Sequence, residues 1–255
     1  MHRQDNLDIA EAELNAGQPR LAVQFAQYAV TKDPDNERGW HLLGVAAMKV
    51  GDYPVAIDAY EQLSLRSPIG ANARITLAIA YGCVGRKSLS RDLLMAVATG
   101  SPDADQLLRI AAGLEAVDEP QLAMEACRRA GKMMPDAAEV HYQMAYYSSL
   151  CGHPVSVAEA LMRHAVSLEP ENLHYRIGLS SLLIRLNRRA DAIGIIEHLI
   201  PGRLEEVTCE CCLKRIANLF FDLGQMEPSK QCAERLAELR DSCQVGADRP
   251  ASVGS

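Results

Sequence analysis

Apolar residues recur at helical spacing through most of the chain, and short polar stretches interrupt this pattern at regular intervals. Five of the interruptions contain a proline, and the successive distances between these prolines are 34, 34, 33 and 35 residues. The prolines are Pro34, Pro68, Pro102, Pro135 and Pro170. A period of this length with helical spacing predicts a repeated unit of two helices.

A second set of positions marks a turn inside each unit. Gly51 stands midway between two of the prolines, and its counterparts are residue types that tolerate a positive φ. The counterparts are Gly17, Gly85, Asp118, Gly152, Asn187 and Gly224. A helix that ends in a sharp reversal needs such a residue just beyond its last turn. The set therefore predicts where the first helix of every pair ends.

Small residues flank each predicted turn in two series. The first comprises Ala10, Gly44, Ala78, Ala111, Ala145, Ser180 and Ala217. The second lies twelve residues further along, or thirteen in the fifth unit, and comprises Ala22, Ala56, Ser90, Ala123, Ala158, Ala192 and Ser229. Small residues on both helices indicate a close crossing, where added bulk costs about 1–3 kcal/mol. We therefore expect Gly44 to be a packing glycine, Gly51 a turn glycine, and Trp40 to pack between helices.

The seven units resemble the tetratricopeptide repeat (TPR) family. The second unit carries the family signature best, in Trp40, Leu43, Gly44, Ala47, Gly51, Ala56, Tyr60, Leu63 and Pro68. The resemblance implies an all-α fold, an α-solenoid that winds as a right-handed superhelix of about seven repeats. We expect one array over residues 1–241. Residues 242–255 lack the periodicity and are predicted to form a disordered C-terminal tail.

Composition narrows the class of protein. The chain has 255 residues, of which 48% are apolar, and its net charge is −7 with a pI near 5.5. This balance argues against a nucleic-acid partner, which needs a clustered basic face. No run approaches the roughly 18 apolar residues of a membrane span, and the N-terminus has no leader pattern, so no membrane insertion is expected. Eight irregularly spaced cysteines are typical of reduced thiols, and we predict a cytoplasmic protein.

Known catalytic and cofactor motifs are missing from the sequence. It contains no GxxxxGK[ST] loop, no GxGxxG after a strand, and no HExxH, GxSxG or EF-hand spacing. No histidine stands at a spacing that indicates a catalytic triad. His164 and His174 flank the turn at Pro170 and are expected to be exposed. The sequence therefore predicts a non-enzymatic protein without a cofactor.

Three cysteines in four residues leave one alternative open. Cys209, Cys211 and Cys212 could take part in a thiol-based metal or redox site, with a fourth ligand from His198 or Cys232. However, neighbouring residues on a helix point about 100° apart, and the spacing is unlike that of common zinc sites. The favoured interpretation is that these are small apolar residues at a helix start, with no metal bound.

The resemblance implies that the first helix of each repeat lines a concave groove, which holds the partner in this type of array. The groove residues predicted on this basis are His41, Val45, Lys49, Asn72, Ile75, Ile79, Tyr142, Tyr146, Lys214 and Asn218. Tyr142 and Tyr146 lie one helical turn apart and share a face, which suits recognition; packing on the neighbouring repeat is an equally weighted alternative.

Function is therefore predicted at the level of class. We expect a protein–protein interaction scaffold that binds a partner protein or peptide of unknown identity, in an oligomeric state that the sequence leaves open. The basic stretch RLNRR at residues 185–189 is interpreted as solvated surface, with a docking site for an acidic segment as the minor alternative.

Overall fold

The computed structural model describes residues 6–196 and 203–247. Within these ranges the chain forms fourteen α-helices and no β-strand. The helices are α1 (Asn6–Asn15), α2 (Pro19–Lys32), α3 (Glu37–Val50), α4 (Tyr53–Arg66), α5 (Ala71–Cys83), α6 (Lys87–Ala98), α7 (Ala104–Ala116), α8 (Pro120–Met133), α9 (Ala138–Leu150), α10 (Val155–Leu168), α11 (Leu173–Arg185), α12 (Arg189–Ile196), α13 (Glu210–Asp222) and α14 (Met226–Ala247). Consecutive helices pair across short turns, so the predicted all-α fold of seven helix pairs is confirmed.

Every predicted turn residue has a positive φ. The values are 76° at Gly17, 78° at Gly51, 81° at Gly85, 68° at Asp118, 72° at Gly152, 58° at Asn187 and 74° at Gly224. At Gly51 the backbone closes a Schellman motif, because Asp52 N donates to Ala47 O at 2.9 Å and Gly51 N donates to Met48 O at 3.2 Å. The motif satisfies carbonyl groups at the helix end and turns the chain back onto the helix it has just left.

The close crossing predicted from the small residues is present. A Cβ atom placed on Gly44 would lie 2.8 Å from Cε2 of Tyr60 on the partner helix, so Gly44 is a packing glycine. In the sixth pair the Ser180 hydroxyl donates to Ala192 O at 3.3 Å, across the same crossing. Direct contact between a side chain and the facing backbone requires helices that approach closely.

Trp40 packs between helices, as predicted, and is 9% exposed. Its indole Nε1 donates to Pro34 O at 2.7 Å, so the ring is tied to the loop that precedes its own helix. The Arg66 guanidinium lies over the ring at 5.4 Å from the centroid, in a cation–π contact. Trp40 therefore links α3, the loop before it and the end of α4.

The helices group into two compact units, residues 1–135 and 136–255, called unit 1 and unit 2 below. Unit 1 contains α1–α8, and a buried apolar cluster in it extends from Leu7 to Ala80. Unit 2 contains α9–α14 and two such clusters, one around Tyr142 and Leu183 and one around Ile216 and Phe220. The sequence predicts a single array, and it does not indicate this grouping.

Helix α14 extends to Ala247, into the segment of residues 242–255 that the sequence predicts to be a tail. The sequence pattern weakens near residue 241, but a last helix needs an apolar stripe on one side only, and weak periodicity does not end it. Residues 248–255 lie outside the described residues.

Candidate functional site

In unit 1 the predicted groove residues divide by exposure. His41, Lys49 and Asn72 are exposed, and Val45 and Ile79 are half-buried. Ile75 is 0% exposed, so the expectation that its side chain is accessible in the groove is wrong. Its helix α5 packs against α4, α6 and α7 at once, and a position that faces several neighbouring helices has no access to solvent.

Contacts between successive first helices follow one register in unit 1. Asn72 on α5 accepts hydrogen bonds on Oδ1 from Arg109 Nη1 at 3.0 Å and from Gln106 Nε2 at 3.4 Å on α7. Ile79 lies opposite Gly113, because a Cβ atom placed on Gly113 would lie 3.4 Å from Cγ1 of Ile79. In the next repeat, Gln106 comes one position after the counterpart of Asn72. Gly113 likewise comes one position after the counterpart of Ile79. Inner positions therefore contact the following repeat in a regular way.

In unit 2 the two predicted groove tyrosines have different environments. Tyr146 is 38% exposed, whereas Tyr142 is 8% exposed and packs on the neighbouring repeat. A Cβ on Gly178 would lie 2.5 Å from Cε2 of Tyr142, so only glycine leaves room for this ring. The Tyr175 ring centroid is 5.0 Å away. The expectation that Tyr142 is exposed is therefore wrong, and its packing on the neighbouring repeat is the alternative found. Burial raises the pKa of its hydroxyl.

Both of the remaining predicted groove residues, Lys214 and Asn218, are exposed on α13. Lys214 forms an ion pair with Glu210 one turn earlier on the same helix, at 3.4 Å. An exposed pair of this kind contributes little to stability, and it does not hold the lysine away from a partner. Their place in a binding groove stays a prediction.

A pocket of about 320 Å³ lies on unit 2 and is called the unit 2 pocket. It spans the first helices of three successive repeats, α9, α11 and α13, with one residue from α10. Its lining is Tyr142, Tyr146, Ser149, Leu150, Met162, Gly178, Ser181, Leu182, Arg185 and Arg215. The lining combines aromatic and apolar surface with hydroxyl groups and two cations, a mixture typical of peptide sites.

Two arginines give the unit 2 pocket its charge. Arg215 donates from Nη1 to the Tyr142 hydroxyl oxygen at 3.4 Å. Arg185 and Arg215 form no ion pair with a carboxylate among the described residues, and the lining contains no Asp or Glu. Of the two, Arg185 belongs to the basic stretch for which docking was only the minor alternative. Arg215 was missed, because its relation to Tyr142 becomes visible only when the inner positions of α9, α11 and α13 are aligned.

Cys209, Cys211 and Cys212, called the thiol cluster, meet at the start of α13. Their sulfur atoms all lie within 4.8 Å of one another, and Cys209 Sγ is 2.6 Å from Cys211 Sγ. Cys209 and Cys211 are exposed and Cys212 is buried. The pKa of Cys209 is lowered by the hydrogen bond with Cys211 and by backbone amides at the helix start, whereas burial raises the pKa of Cys212 to about 12.

His174 lies beside the thiol cluster, which the sequence interpretation did not anticipate. It was expected to be exposed but is half-buried, because its ring packs on Tyr142 with centroids 4.7 Å apart. Its Nδ1 is 3.1 Å from Cys212 Sγ, and burial lowers its pKa. Of the two fourth ligands considered from the sequence, Cys232 is buried in the core next to Ile216, and His198 lies outside the described residues.

Among the described residues, no helix combines the length and apolar composition needed to cross a bilayer.

No protein-family model and no curated protein matches the chain. Solved structures do match. A tetratricopeptide repeat protein from Parabacteroides merdae is 13% identical, with a TM-score of 0.72 over 92% of this chain and 91% of that one. MamA from Desulfovibrio magneticus RS-1 is 17% identical, with a TM-score of 0.57 over 66% of this chain and 94% of that one.

A third match is the APC/C hetero-tetramer Cut9–Hcn1, which is 12% identical, with a TM-score of 0.61 over 94% of this chain and 46% of that one. Identities this low carry information about the fold alone. Together with the seven helix pairs and their turns, they show that the chain has the TPR fold.

Proposed function

We propose that the chain is a non-enzymatic scaffold that binds a partner protein or peptide along its first helices, and that the unit 2 pocket receives an acidic segment of that partner. The fold supports the general class, because one structural neighbour is a protein assembly by its own description, the hetero-tetramer Cut9–Hcn1. The observation that carries the proposal is that Arg185 and Arg215 both line a pocket whose lining contains no carboxylate.

Charge and shape favour an acidic occupant of the unit 2 pocket. A guanidinium recognises a carboxylate through paired hydrogen bonds, which give both energy and direction. The exposed ring of Tyr146 offers apolar contact area with few rotatable bonds, so little conformational entropy is lost on binding. A short segment that carries carboxylates next to an apolar side chain matches both features.

Peptide display on the full-length chain tests the proposal directly. Selection from a random-peptide library is expected to enrich sequences that combine acidic and apolar residues. For a selected peptide, Tyr146→Ala combined with Arg185→Glu is expected to weaken binding by about thirtyfold or more, since an interface anchor typically contributes about 2 kcal/mol. Fluorescence anisotropy measures the change, and circular dichroism checks that the variant is folded.

Arg189→Glu is the matched control. Arg189 is an exposed arginine of the same repeat, four residues from Arg185, and it does not line the unit 2 pocket. The same change in net charge there should alter affinity only slightly. Equal losses of peptide affinity in the Arg185 and Arg189 variants would indicate long-range electrostatic attraction of the peptide, with no specific binding in the pocket. Enrichment of basic peptides, or unchanged affinity in the double variant, contradicts an acidic occupant.

A further inference from the structure

The thiol cluster has a geometry that its sequence spacing does not suggest. Cys209 is the N-cap of α13 and has extended backbone dihedrals, φ −93° and ψ 120°. Cys211 and Cys212 lie in the first turn of the helix that follows. Because the N-cap backbone lies outside the helix, the Cys209 side chain reaches back over this turn. The three sulfur atoms therefore converge although the two helical cysteines are adjacent in sequence.

A fourth donor comes from the preceding repeat. His174 Nδ1 on α11 is 3.1 Å from Cys212 Sγ. The imidazole ring packs on Tyr142, with centroids 4.7 Å apart, and the backbone N of His174 donates to the cap residue Asn172 Oδ1 at 3.1 Å. The ring contact restrains the imidazole and the backbone hydrogen bond restrains the helix start that carries it, which reduces the reorganisation needed to bind an ion.

Two of the separations between donor atoms are shorter than those of a tetrahedral zinc site. Zinc binds thiolate sulfur at about 2.3 Å and imidazole nitrogen at about 2.0–2.1 Å, so the ligand atoms of a site with three sulfurs and one nitrogen lie about 3.5–3.8 Å apart. The Cys209–Cys211 distance is 2.6 Å and the His174–Cys212 distance is 3.1 Å, and the three sulfur atoms lie within 4.8 Å of one another. Side-chain rotations that lengthen both distances would bring these pairs to the separation that a bound ion requires. Three cysteines with one histidine are a common structural zinc set.

Exposure leaves two of the three thiols accessible to an ion. Only Cys212 is buried, whereas Cys209 and Cys211 are exposed. A pocket of about 260 Å³ is lined by His174, Cys209 and Cys212, with Leu173 and Thr208 beside them. It gives an ion a path to the donors from solvent.

We propose that Cys209, Cys211, Cys212 and His174 bind one thiophilic divalent ion of the zinc class. The ion joins the start of α13 to the start of α11 and so fixes two successive repeats of unit 2 against each other. This site is independent of the proposed partner pocket, which contains none of the four donors.

Metal titration of the reduced, metal-free, full-length chain tests the site. Zn²⁺ in competition with a chromophoric chelator is expected to bind at one ion per chain. Co²⁺ is expected to give the intense visible absorption of a tetrahedral site and a thiolate charge-transfer band. Cys209→Ser and His174→Gln should each lower the Zn²⁺ affinity by at least about tenfold. Cys209 is exposed, so its variant is expected to stay folded even if changes at the buried Cys212 do not.

Cys83→Ser is the control, since Cys83 is an exposed cysteine of unit 1. It should leave Zn²⁺ affinity and the Co²⁺ spectrum unchanged. Failure of the reduced chain to bind Zn²⁺ overturns the proposal. So does affinity that Cys209→Ser leaves intact, or a disulfide between Cys209 and Cys211 that persists in reductant and excludes the ion. A Co²⁺ spectrum without a tetrahedral signature excludes the four-donor set.

Discussion

Gly44 has no room for a side chain, because a Cβ atom there would lie 2.8 Å and 2.9 Å from two carbons of the buried Tyr60 ring. Gly44→Leu is therefore expected to lower the free energy of unfolding by about 1–3 kcal/mol or more. Helix propensity acts in the opposite direction, since leucine is a better helix former than glycine by up to about 1 kcal/mol. Urea unfolding followed by circular dichroism measures the net effect.

Gly194→Leu separates packing from propensity. Gly194 is also a helical glycine, on α12, but nothing lies within 4 Å of a Cβ placed there. Leucine should therefore be neutral or stabilising at this position. If both variants have the same free energy of unfolding as the parent, the helix crossing at Gly44 is not tight. The assignment of Gly44 as a packing glycine would then have no basis.

At the scale of residues, the sequence predicts what depends on local conformation. The positive φ at Asp118 and Asn187 follows from the repeat frame, although neither residue is glycine. The burial of Tyr142 does not follow, because it depends on Gly178 in the next repeat. The same holds for His174, whose contact with Cys212 joins residues 38 positions apart. Contacts across repeats require a register between helices, which one unit alone does not contain.

The register that the structure shows is regular along the chain. In unit 2, as in unit 1, a first-helix residue contacts the position one beyond its counterpart in the next repeat. Tyr142 meets Gly178 in this way, and His174 meets Cys212. The offset arises because successive first helices lie side by side with a constant shift. Once the structure has given this shift, an alignment of the inner positions reproduces both contacts.

At the scale of elements, the end of α11 shows how a helix pair is closed. Asn187 has φ 58°, and Asn187 N donates to Ile184 O at 2.8 Å while Arg188 N donates to Leu183 O at 2.9 Å. Left-handed backbone costs an L-residue about 1–2 kcal/mol, and a β-branched residue is the least compatible with it. Asn187→Val is therefore expected to lower the free energy of unfolding by about 1–2 kcal/mol, whereas Asn187→Gly should be neutral or stabilising.

Denaturant unfolding of the two Asn187 variants checks this expectation. Asn218→Val is a suitable control, because Asn218 is exposed within helix α13, where valine and asparagine have about the same helix propensity. A loss at Asn218→Val as large as that at Asn187→Val would attribute the effect to valine in general. Destabilisation by Asn187→Gly would show that the asparagine side chain, and not its tolerance of positive φ, supports the turn.

At the scale of the whole molecule, packing is local along the chain. Within each unit the main contacts join helices that are neighbours or next neighbours in sequence. Repeat proteins of this kind have stabilities close to the sum of each repeat and its interfaces. The period of the sequence predicts such local packing. It does not predict that the contacts divide into two units at residue 135, because all seven repeats carry similar turn and crossing residues. The division depends on how well particular side chains pack.

The fragment of residues 1–135 is therefore expected to fold without the rest of the chain. It retains all four helix pairs of unit 1 and the whole apolar cluster from Leu7 to Ala80. Its far-ultraviolet circular dichroism should be helical, and urea should unfold it cooperatively with a smaller m-value than the full chain, since less surface becomes exposed.

The matched control is the fragment of residues 1–118, which lacks α8 and leaves the buried Ile110 and Leu114 of α7 without that partner helix. Each such side chain represents about 1.5–3 kcal/mol of burial, so the shorter fragment should unfold at clearly lower urea concentration. If both fragments unfold at the same urea concentration, α8 does not stabilise unit 1. A gradual loss of the circular dichroism signal from the longer fragment means that unit 1 is not an independent folding unit.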